Sequence, residues 1–144
     1  MIDEALIERK IDIIMENLMY LKNVQDIEAN VFLASFEKLQ AAKHSLQEAI
    51  EACIDIANHI IAVERFHRAE TYTGMFERLA EEHIISPKLK DKLVSMAKFR
   101  NLLVHRYGDI DAQRVWEMIQ HDLAAIESYV QKIERYILQA GQDD

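Results

Sequence analysis

Apolar residues recur along most of this chain at alternating intervals of four and three, the spacing that lines one face of an α-helix. Ile7, Ile11, Ile14, Leu18 and Leu21 form the first such seam and predict a helix from about Asp3 to Lys22. Leu46, Ile50, Cys53, Ala57 and Ile60 continue the rhythm in a second stretch, read as one helix from Asp26 to Ile61. A turn-rich segment, Arg65–Gly74, separates it from a short helix over Met75–Glu82. Ser86-Pro87 places a capping residue before a proline at the first helical position. It starts a third long helix that reaches His105, with Gly108 as the stop. Asp111 caps a fourth, whose seam is Ile119, Leu123, Ile126, Val130, Ile133 and Ile137. The tail Gly141–Asp144 is expected to fray. No segment shows the period of two of a half-buried strand. The expected fold is all-α, an antiparallel bundle of four long helices with a short fifth, with residues 1–144 as one domain.

Composition agrees with long helices. Half the 144 residues are hydrophobic, and only three glycines and one proline interrupt them. No run approaches the roughly 18–20 apolar residues of a membrane span. Met1-Ile2-Asp3-Glu4 carries acids where a signal peptide carries bases. Cys53 is the single cysteine, which excludes an internal disulfide and a cysteine metal cluster. A cytoplasmic protein without a membrane partner is the expectation.

The net charge of −8 opposes nonspecific binding to nucleic acid, and DNA is not an expected partner. The distribution changes that picture. Residues 86–114 hold seven lysines and arginines against three aspartates, a local charge of +4, while the remainder holds ten bases and 22 acids. The basic segment contains Arg100, Asn101, His105 and Tyr107 in the pattern R-N-x-x-x-H-x-Y. Arg100 interrupts the seam Leu89, Leu93, Met96, Arg100, Leu103. A seam arginine is half buried and paired, faces a partner, or snorkels from the bundle end. Asn101 and His105 stand four apart on one helix face. His105 lies near a helix C-terminus, where the dipole favours imidazolium. On the second helix Glu51, Asp55 and His59 follow at intervals of four, beside Glu48 and Asn58. They form a solvated face or a set that orients Arg100, with Asp55 the preferred partner and Glu51 in support. No two-histidine or Glu-x-x-His metal pair occurs there, and no metal or other cofactor is expected. His44, His67, His83 and His121 read as surface residues, and Trp116 as packing.

The pattern resembles the R-x4–6-H motif of the HEPN superfamily, and its extended form is similar to that of the HepT toxin ribonucleases. The resemblance spans nearly the whole chain. It includes Glu16-Asn17-Leu18, Leu46–Ala52, Asp55–Ile61 and, closest, Phe99-Arg100-Asn101-Leu102-Leu103-Val104-His105. It implies an RNA endonuclease acting on tRNA or mRNA without a metal. Arg100 would stabilise the pentacoordinate phosphorus and His105 would transfer protons. It implies a homodimer in which two motifs meet across a cleft. It also implies an MntA-like nucleotidyltransferase antitoxin that adenylylates Tyr107. Two rival readings accompany it: a non-catalytic interaction or nucleotide-binding module beside a minimal nucleotidyltransferase, and a specificity subunit of a two-chain nucleotidyltransferase. The acidic exterior suits the former. The intact motif favours catalysis.

Overall fold

The computed structural model describes the backbone of residues 1–105 and 111–143, with side chains for 1–104 and 111–141. The described elements are α1 (Glu4–Gln25), α2 (Ala29–Leu33), α3 (Phe36–Val63), α4 (Tyr72–Glu81), α5 (Pro87–His105), α6 (Ala112–His121) and α7 (Leu123–Asp143). No strand occurs among the described residues. The expected all-α bundle is the fold. None of its described helices is long and apolar enough to cross a membrane.

Local chemistry sets the helix ends. The Asp3 side chain accepts the Leu6 N–H at 3.1 Å and starts α1. Ser86 does the same for Leu89 at the head of α5. The helix expected from Asp26 to Ile61 is broken. Asp26 caps the C-terminus of α1, one turn of helix follows as α2, and Ser35 turns to extended backbone. Its hydroxyl accepts the Lys38 N–H at 3.1 Å, giving α3 its own N-cap. The helix expected after Asp111 is likewise divided at Asp122, which ends α6 and is held by Lys92 Nζ at 3.0 Å. The short helix begins at Tyr72 rather than Met75, because Thr71 Oγ1 caps the Gly74 N–H at 3.0 Å.

Four long helices close a ring: α3 and α7 each pack on both α1 and α5. Asp3 bonds His59 while Lys10 bonds Asp55, so α1 and α3 run antiparallel. Inside the ring Ile7, Ile14, Leu18 and Leu21 of α1 meet Leu46, Ile50, Cys53, Ala57 and Ile60 of α3, all buried. Each such aliphatic side chain contributes about 1.5–3 kcal/mol on burial. Tyr129 of α7 is fully buried and donates its hydroxyl to the Cys53 carbonyl at 2.9 Å. Burial pushes its hydroxyl well above the usual tyrosine pKa and raises the Cys53 thiol as well. Phe32 of α2 and Trp116 of α6 pack at 5.2 Å and close one end, consistent with the packing role expected of Trp116. Across α3 and α5 lies α4.

Candidate functional site

The seam of α5 is apolar until its last turns. Leu89, Leu93 and Met96 are buried, and Arg100 then takes the next place with a side chain only 15% exposed. A charged group that deep needs a counter-ion. Glu51 of α3 supplies it. Its Oε1 accepts from Arg100 Nε at 3.0 Å and Nη2 at 2.6 Å. The same oxygen accepts from Gln47 Nε2 at 3.2 Å, one turn back along α3. The Tyr72 ring lies 5.2 Å from the guanidinium carbon, within cation–π range. Arg100 is therefore fixed on its Nε/Nη2 edge and across one face. Among the described residues its Nη1 makes one long contact, 3.4 Å, to Asn101 Oδ1. Its Nη1 side carries the donors that an anion would meet there.

Beside this arginine lies a pocket of about 330 Å³, lined by Glu51, Asp55, Asn58, Tyr72, Met75 and Arg100 among others. Asn58 and Met75 also line an adjoining concavity of about 550 Å³ that reaches His67 and Arg68 in the α3–α4 connection. The structure thus brings Arg100, Asn101, Glu51 and Asp55 to one end of the α3–α5 contact. The expectation that Asp55 holds Arg100 is corrected. Asp55, one turn further along α3, pairs with Lys10 of α1 at 2.9 Å, and Glu51 holds the arginine. His59 accepts the Asp3 backbone N–H at 3.0 Å and serves the start of α1. His44, His67, His83 and His121 are exposed, as expected.

The backbone of α5 carries His105 one turn beyond Asn101. The His105 side chain, and Tyr107 entirely, lie outside the described residues. Tyr72 had no role in the expected site. Its signal was Thr71 ahead of Gly74, a capping residue three positions before a helical N–H, which moves the start of α4 back to the tyrosine.

A family model described as "Ribonuclease HepT-like" matches residues 7–133. The chain is 29% identical to a tRNA nuclease HepT of Aphanizomenon flos-aquae over 143 residues, covering 99% of this chain and 97% of the relative. It is 30% identical to an mRNA nuclease HepT of Shewanella oneidensis over 116 residues, covering 79% of this chain and 87% of the relative. Among solved structures it superposes with a TM-score of 0.84 on a tri-AMPylated HEPN toxin of Shewanella oneidensis in complex with its MNT antitoxin. That match has 29% identity and covers 94% of this chain and 99% of the toxin.

Proposed function

The chain belongs to the HepT-like ribonuclease family, and from that membership we propose that it is the RNA-cleaving toxin of a toxin–antitoxin pair. The observation that carries the reading is Arg100, seated at the end of α5 and fixed by Glu51 before any substrate arrives. A preoriented cation of this kind stabilises charge that develops on a phosphoryl group in the transition state. The catalytic chemistry then uses RNA's own nucleophile. A base removes the 2′-hydroxyl proton, the oxygen attacks phosphorus, and an acid protonates the departing 5′-oxygen. His105 carries the proton transfers. Base and acid act on opposite sides of an in-line displacement, so one histidine serves one side only. Two chains meeting motif to motif supply the second. The substrate is tRNA or mRNA, the two classes named for relatives.

Regulation falls on Tyr107, two residues beyond His105. An MntA-like nucleotidyltransferase attaches AMP to its hydroxyl. The added bulk and negative charge oppose entry of a polyanion. The test is to incubate the protein with its neighbouring nucleotidyltransferase, ATP and Mg²⁺, then follow intact mass and RNA cleavage together. AMP addition to wild type with loss of cleavage, and escape by Tyr107→Phe, is the expected result. Label that persists in the variant or lands on Tyr20, Tyr72, Tyr129 or Tyr136 would overturn the assignment.

A further inference from the structure

The pocket beside Arg100 is poorly built for a phosphate. Two carboxylates, Glu51 and Asp55, line it, and each already has a cation, Arg100 and Lys10 respectively. Such a wall is close to neutral, and its oxygens accept hydrogen bonds without donating any. Asn58 stands exposed where this pocket meets the adjoining one and offers both a donor and an acceptor. Tyr72 contributes an aromatic ring, 38% exposed, packed against the Arg100 guanidinium. Aromatic rings of this kind serve as stacking platforms for unpaired bases.

We propose that this pocket is a base-reading subsite, in which Tyr72 stacks the nucleotide flanking the scissile phosphate while Asp55 and Asn58 read its edge. The proposal rests on the ribonuclease reading above and adds a substrate preference to it. A carboxylate accepts from the exocyclic amino group of adenine, cytosine or guanine, whereas uracil offers it no amino group and only an N3–H flanked by two repelling carbonyls. The preferred flanking base therefore carries an amino group.

Cleavage of a randomised single-stranded RNA pool, with sequencing of the new 5′ ends, reads the preference directly. Wild type is expected to favour an amino-bearing base over uracil at one flanking position by about tenfold, the low end of a good edge contact. Asp55→Asn replaces an acceptor by an amide that also donates, so uracil discrimination should fall to within about threefold while cleavage continues. Asn58→Ala should flatten the same position. Binding is measured separately in the His105→Ala background with a short fluorescent RNA. Tyr72→Ala should weaken it about tenfold or more, and Tyr72→Phe, which keeps the ring, should restore it. An unchanged base preference in Asp55→Asn and Asn58→Ala, with cleavage intact, overturns the subsite alone. Failure of wild type to cut RNA, together with failure of His105→Ala to bind it, overturns the ribonuclease reading and the subsite with it.

Discussion

Glu51 holds Arg100 through two charge-assisted bonds to one oxygen, and such bonds are about twice as strong as neutral ones. The carboxylate also offsets part of the positive charge that attracts phosphate, so orientation and attraction pull in opposite directions. Glu51→Gln separates them. The amide keeps the shape, weakens the hold and removes the offsetting negative charge beside the guanidinium. The expected outcome is a kcat for RNA cleavage lowered about tenfold with KM no higher than wild type, since a misplacement near 1 Å costs that much or more. An unchanged kcat would show that Glu51 does not position Arg100. Arg100 was legible in the sequence because a charge at a seam position is an anomaly. Its partner was less legible. Helical periodicity tells which face Glu51 and Asp55 share, but not how far α3 is shifted along α5, and Lys10 of α1 captures Asp55.

Helix ends carry the next lesson. Arg65 and His83 sit in left-handed backbone, with φ of 58° and 62°, where glycine is usual. Both close the same motif. The N–H of Phe66 reaches the Ile61 carbonyl at 3.0 Å, and that of Ile84 reaches Leu79 at 2.9 Å. A non-glycine residue there is strained by about 1 kcal/mol or more. Glycine removes the strain but adds freedom to the unfolded chain. His83→Gly should therefore raise unfolding stability by about 0.5–1 kcal/mol in urea titration, with the slope unchanged. A loss of stability would mean that the His83 side chain contributes contacts outweighing its strain. The breaks at Ser35 and Asp122 were illegible for a related reason. Ile119 and Leu123 keep a spacing of four across Asp122, so the apolar pattern runs straight through the interruption. Ser35 lacks the acidic N3 partner of a capping box, having Lys38 there, and gave only a weak start signal.

At the scale of the whole molecule, a protein of net charge −8 must present RNA with its basic segment, residues 86–114, and turn its acidic remainder away. In the proposed dimer, pairing two chains at the α5 ends would concentrate that segment in one cleft and bring two copies of Arg100 and His105 to one substrate. Light scattering at micromolar concentration should report twice the 16.8 kDa chain mass. A monomer that still cleaves RNA would remove the need for the shared cleft. The all-α bundle and its buried seams were legible, because burial of a seam obeys the 3.6-residue period whatever the loops do. The pocket at Tyr72 was not, since it is made by α3, α4 and α5 together and no single segment displays it.

RNA cleavage by protein purified without its nucleotidyltransferase tests the catalytic assignment most directly. In the presence of EDTA, wild type should leave 2′,3′-cyclic phosphate and 5′-hydroxyl ends. Arg100→Ala and His105→Ala should each lose about 10²–10⁴-fold in rate while keeping the helical circular dichroism of wild type. Cleavage abolished by EDTA, products ending in 3′-hydroxyl groups, or full activity in His105→Ala would contradict a metal-free reaction run by this motif.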